Sequence, residues 1–179
     1  GRGTEDYLIT SKGQEAPAHM PQVKRSLSVI YAANPFGADH ESSEHDPAYK
    51  AYPERMEQIG LTNPQEKLAL NEEMMRFAMV TQHLFSAIDS LSVCAFIFGP
   101  AWQLYDADKL VEVVNAVTGW DTDITEILAV GERRLNMLRA FNSREGIGRE
   151  SDTLPKKMFK RPLEGGRSDG YALDEKEWE

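Results

Sequence analysis

The chain has 179 residues, 41% hydrophobic and 27% charged. This suits one domain at the usual ~100 to 200 residues per domain and excludes a wholly disordered, collagen-like or disulfide-stapled chain. Its 20 Lys and Arg stand against 29 Asp and Glu, a formal net charge of −9, which opposes a nonspecific hold on nucleic acid or an anionic membrane. The longest mostly apolar stretch, Val93 to Ala101, is far short of the ~20 residues that cross a bilayer, so the expectation is a soluble, cytoplasmic protein with neither nucleic acid nor membrane as partner.

Residues 1–23 carry Gly3, Gly13, Pro17 and Pro21 around one short apolar run, Tyr7-Leu8-Ile9, and read as an extended leading segment. A helical domain is expected over 24–147. It opens with a short helix, Lys24 to Ala33, with Leu27, Ile30 and Tyr31 on one face, ended by Asn34-Pro35. Residues 34–61 read as a long site-lining loop with one helical turn near Ala48 to Tyr52. Asn63-Pro64-Gln65-Glu66 offers an N-cap, a proline at the first helical position and a Glu at the third, which predicts a long helix from there to Asp89-Ser90 with Leu70, Met74, Phe77, Leu84 and Ile88 on its apolar stripe. After the break at Gly99-Pro100, Asp106 or Asp108 opens a helix closed by Gly119, and Asp123 with Glu126 opens the last one, which stops by Gly146. Residues 148–179, with Leu154-Pro155 and Glu164-Gly165-Gly166, read as an extended surface tail. The fold class expected is all-α and multihelical.

The densest chemistry lies in Asp39-His40-Glu41-Ser42-Ser43-Glu44-His45-Asp46. A zinc-protease helix needs its two His four apart on one face, whereas His40 and His45 are five apart, ~140° around a helix, so that reading fails. A solvated acidic loop is the plain interpretation and a proton-transferring His the functional one; a metal held by His40 and His45 is a third, which predicts zinc retained on purification. His83 reads as a packed helix residue, and His19 as a residue without companion. Cys94 stands in an apolar segment, where a cysteine usually serves as a small hydrophobe. As the single cysteine it excludes an intrachain disulfide and a self-contained thiolate zinc or iron-sulfur site. Asp89 falls at a helix C-terminus, where the macrodipole opposes an acid. Gly146-Ile147-Gly148 lacks a preceding strand and a third glycine, so it is no dinucleotide fingerprint.

Several separated segments point one way when taken in order: Gly13-Gln14-Glu15-Ala16-Pro17, Tyr31-Ala32, Gly37-Ala38-Asp39-His40, Asp89-Ser90-Leu91-Ser92-Val93-Cys94, Gly119-Trp120-Asp121, Gly131-Glu132-Arg133 with Asn136 and Arg139, and Asp152-Thr153-Leu154-Pro155 with Phe159 and Pro162-Leu163. Together they resemble the C-terminal helical region of the tungsten- and pterin-containing aldehyde ferredoxin oxidoreductases. Asp89 to Cys94 is similar to that family's pterin-binding segment Asp-x-x-Gly-Leu-Cys, with Ser92 and Val93 in place of its Gly and Leu. Met20 stands where the family usually has Asp.

The resemblance implies a catalytic role for His40 in proton transfer, a cofactor-binding role for Asp89, Val93 and Cys94, and Cys94 as one thiolate ligand of a four-iron four-sulfur cluster. It implies two pterins holding tungsten or molybdenum, an aldehyde-type substrate, and ferredoxin or another acceptor for the electrons. A four-iron cluster needs three more cysteines than this chain has, and the chain opens at Gly1 rather than Met. The expectation is therefore a C-terminal domain of a longer enzyme, inert and free of cofactor when alone, whose partners include the enzyme's own N-terminal domains. An exposed apolar patch at Val93 to Phe98 would favour a homodimer. The alternative expectation is a noncatalytic helical interaction module that keeps the family fold.

Overall fold

The computed structural model of the chain describes residues 2–4 and 7–178. Gly1, one of the two grounds for expecting a fragment, lies outside them. A two-stranded antiparallel hairpin, β1 (Thr10–Ser11) and β2 (Gln14–Glu15), is the only sheet among the described residues, pairing Thr10 with Glu15 and Ser11 with Gln14. The helices follow as α1 (Arg25–Ala33), α2 (Ala48–Ala51), α3 (Pro53–Glu57), α4 (Glu72–Ser90), α5 (Ala107–Thr118), α6 (Ile124–Arg144), α7 (Lys156–Lys160) and α8 (Glu175–Trp178). The fold is mostly helical, as expected. No described helix is long and apolar enough to cross a membrane.

Local capping explains most boundaries. The Asp106 side chain accepts from the Lys109 amide at the start of α5, Gly119 ends that helix with φ +75°, and Asp123 accepts from the Glu126 amide at the start of α6. The start of α4 corrects the sequence reading. Asn63-Pro64-Gln65-Glu66 does not open the helix; Asn71 does, its side chain accepting from the Met74 amide, while Gln65 accepts from the Asn71 amide group.

Two cores result. The larger one gathers Tyr49, Met56, Leu61, Met74, Phe77 and Leu84 with residues of α5 and α6, and Tyr49 stacks on Phe77 at 4.8 Å. Helices α4 and α6 pack along each other through Gly131, where a Cβ would stand 1.8 Å from the His83 carbonyl oxygen. The smaller core joins Leu27, Tyr31 and Ala32 of α1 and its neighbour Ala38 to Leu154, Met158 and Leu173. The tail read as an extended surface segment thus contributes buried side chains and two short helices, and Asp152 clamps it down. Both oxygens of that carboxylate accept from Arg139, at 2.6 and 2.5 Å, and Lys12 lies 2.7 Å away. Burial alone would raise the Asp152 pKa, but the two cations hold it below the ordinary value.

Candidate functional site

The residues around His40 gather from three stretches of chain. His19, His40 and His45 pack their rings together, with centroids 4.7 Å apart for the first pair, 4.5 Å for His19 and His45, and 5.9 Å for His40 and His45. His19, which had no companion in the sequence, has two in the fold. Lys24, just ahead of α1, reaches into the group with Nζ 3.3 Å from His19 Nδ1 and 3.0 Å from His45 Nδ1. His40 places Nε2 3.0 Å from Glu41 Oε1, and its Nδ1 is buried without a partner. An open groove of about 630 Å³, lined by Ile9, Pro17, Met158 and Leu163 among others, includes His19 in its wall.

The plain reading of 39–46 as a solvated acidic loop is overturned. Ser43, Glu44 and Asp46 are buried. Asp46 Oδ2 accepts from the Ser26 amide at 2.7 Å and so fixes the loop to the first turn of α1. Glu44 accepts from the His45 amide at 2.9 Å and from Gln103 Nε2 at 3.0 Å, and Gln103 in turn accepts from the Ala101 amide. Asp39 accepts from the Ser42 hydroxyl at 2.6 Å, and Asn34 donates to that hydroxyl and to the Gly37 carbonyl. At Gly37 (φ +101°) a Cβ would stand 2.3 Å from the Ser11 carbonyl oxygen, so the approach to His40 requires glycine on both conformational and steric grounds.

Electrostatics follows burial. Desolvation raises the pKa of Glu44 and of Asp46 despite the hydrogen bonds that oppose it. Desolvation, then the Lys24 charge, lowers that of His19 and pushes that of His45 down to about 4. Lys24 is itself lowered by burial, against the pull of Asp46 and Glu44.

The second half of the expected site is a helix cap. After α4 ends at Ser90, the Ser92 amide donates to the Asp89 carbonyl at 3.0 Å and the Val93 amide to the Ile88 carbonyl at 3.2 Å. That pair of bonds, with a left-handed residue between, is the Schellman arrangement. Ser92 is that residue, at φ +56°, and Val93 is the apolar residue after it, packed against the larger core. The Gly and Leu of the motif that Asp89 to Cys94 resembles are the residue types such a cap prefers; Ser and Val build the same turn here. Asp89 is exposed and sits 3.2 Å from Arg134 Nη1, a cation that offsets the unfavourable helix terminus. Cys94 is exposed rather than a buried small hydrophobe. Its carbonyl accepts from the Ile97 and Phe98 amides, and Phe96, Trp102 and Leu104 stand exposed nearby in sequence.

A narrow crevice lined by Asn34, Phe36, Ser42, Gln82, Asp89 and Arg134 brings the Asp89 end of α4 up to the loop that carries His40. Sequence reasoning missed His19 and Lys24 because nothing local links them to His40. No group of three or more His, Cys, Asp or Glu among the described residues has a geometry that holds a metal ion, so the reading of zinc on His40 and His45 gains no support. The donor set fits a shared cluster in one respect only: Cys94 is accessible, and it is one thiol where a four-iron cluster takes four.

Comparison with known proteins meets this geometry. The family described as aldehyde ferredoxin oxidoreductase, domains 2 and 3, matches residues 1–179. The tungsten-containing aldehyde ferredoxin oxidoreductase of Pyrococcus abyssi is 31% identical over 177 residues, covering 98% of this chain and 27% of that protein. The enzyme of the same name from Pyrococcus horikoshii is 30% identical over 174 residues, covering 96% and 26%, and that from Thermococcus kodakarensis 29% identical over 178 residues, covering 98% and 27%. The chain therefore spans about a quarter of the length of these relatives. With the family's pattern running the length of the chain, the protein belongs to the aldehyde ferredoxin oxidoreductase family.

Proposed function

We propose that this chain forms one wall of a tungsten (or molybdenum) bis-pterin site in a longer oxidoreductase that converts aldehydes or related substrates and passes electrons through a four-iron four-sulfur cluster to ferredoxin. The observation that supports the reading is the turn at Asp89 to Cys94, which holds Ser92 in the left-handed conformation and leaves Asp89 and Cys94 exposed. Asp89 would accept two parallel N–H donors from a pterin, a geometry suited to a carboxylate. Val93 would set the cap against the core, and Cys94 would supply one thiolate to the cluster. Bound tungsten and pterin would supply the two-electron redox step. His40 would hold and release the proton that accompanies substrate oxidation.

The remaining N-terminal domains would seat on the exposed Phe96, Trp102 and Leu104 beside Cys94, and a homodimer contact is the other use of that face. The isolated chain is expected to carry no cofactor and no activity. In the full-length enzyme, His40→Asn should lower kcat by ~10²-fold or more, the usual share of a general acid or base, with tungsten and iron contents unchanged. Asp89→Ala should lower the pterin retained on purification. Full turnover in His40→Asn together with full pterin content in Asp89→Ala would overturn the reading.

A further inference from the structure

His40 is not the only imidazole at its end of the molecule, and the three differ in what their nitrogens do. His19 and His45 each direct Nδ1 at the same ammonium, Lys24 Nζ, at 3.3 and 3.0 Å. An ammonium has three protons to donate and no lone pair to offer, so both Nδ1 atoms accept, and each ring carries its proton on Nε2. His40 meets Glu41 Oε1 through Nε2 at 3.0 Å, which leaves its buried Nδ1 unpartnered.

We propose that Lys24 is a positioning residue which, by donating to Nδ1 of both His19 and His45, withdraws those two lone pairs from proton exchange and leaves Nδ1 of His40 as the basic nitrogen that the cluster offers. This rests on the reading that His40 handles a proton, and it names the atom. The groups that face Lys24 are His19, His45, Asp46, Glu44 and Lys67, while His40 faces the other two rings. Asp46 and Glu44 favour the charged form of Lys24 against its burial, and the charged ammonium disfavours a further proton on either neighbouring ring. The downward pull on His19 and His45 agrees with this. Had the three imidazoles been equivalent, a proton released at the site would be shared among them; with two capped by Lys24, it has one acceptor.

The test is long-range proton–nitrogen NMR on the oxidised full-length enzyme, labelled with nitrogen-15 in its histidines and assigned by His19→Gln, His40→Gln and His45→Gln. The expected result is an Nε2–H tautomer for both His19 and His45 at pH 7.5. An Nδ1–H tautomer at either His19 or His45 would overturn the proposal. In Lys24→Met, His45 should lose its single tautomer and take up a proton at higher pH, and the pH profile of kcat should gain a second ionisation. Lys24→Arg, which keeps a cationic donor, should restore the original pattern. Unchanged tautomers in Lys24→Met would also overturn it. Because tautomers are read without turnover, failure of the proton-transfer role, seen as full activity in His40→Asn, is distinct from failure of the Lys24 assignment.

Discussion

Residues 39–46 and residues 89–94 are both short connections rich in functional residue types, and they are built from opposite materials. In the first, side chains do the structural work: Asp39, Glu44 and Asp46 turn inward and hold amides and side chains of α1, of the loop itself and of the stretch at Ala101 to Gln103. In the second, the backbone does it through two capping bonds, and Asp89 and Cys94 are left pointing out of the chain. Proton-handling groups need a fixed, partly desolvated setting that neighbouring side chains within one chain provide. Ligands to a group shared with other domains need exposure before those domains are added.

Substitutions should separate the two constructions. The largest effect is expected at the helix contact that supports both. Gly131→Ala drives a Cβ into the His83 carbonyl, and since overpacking against rigid backbone lies at the top of the usual range or beyond, a loss of about 3 kcal/mol or more is expected in denaturant unfolding. Asp46→Ala strips the Ser26 amide of its buried acceptor, and about 2 kcal/mol should be lost. Asp89→Ala removes only a largely exposed partner of Arg134 and should leave stability within about 0.5 kcal/mol. Equal losses for the two Asp variants would break the contrast.

The pH dependence sharpens it further. His45 has a pKa pushed down to about 4 in the folded chain against 6.5 unfolded, so the folded state resists a proton that the unfolded chain accepts. Its contribution is fully present above pH 6.5 and is lost as pH falls from there towards 4, by about 1–2 kcal/mol once remaining exposure is discounted. Glu44 and Asp46, with raised pKa values, act in the opposite sense and favour folding as pH falls. The His45 term is therefore read as the difference between wild type and His45→Asn at pH 7.5 and 4.5. At the cap the expected change has the opposite sign. Ser92→Gly relieves a left-handed serine and should stabilise by about 0.5–1 kcal/mol, whereas Ser92→Val should destabilise.

The sequence made the cap legible and the loop nearly opaque. Helix α5, helix α6 and the end of α4 obey rules that act within four residues, so Asp106, Gly119, Asp123 and the Asp89-Ser90 stop were readable. The start of α4 was not, because Asn63-Pro64-Gln65-Glu66 satisfies the same local rule as Asn71 and only the folded chain chooses between them. The inward turn of Glu44 and Asp46 depends on Gln103 and Ser26, distant in sequence, and His19 gains its role from a lysine and two rings that the fold brings to it. Burial of a charged side chain is decided by partners of this kind, and periodicity carries no trace of them. The resemblance of the Asp89 to Cys94 segment stood out for the converse reason, since a helix cap is encoded where it forms.

The most direct test of the proposed placement of Cys94 is electron paramagnetic resonance of the dithionite-reduced full-length enzyme, with iron analysis, for wild type and Cys94→Ala. Loss of the reduced four-iron signal and of cluster iron in the variant, with α4 and its cap still folded by circular dichroism, is the expected result. An undiminished cluster signal in Cys94→Ala would contradict it.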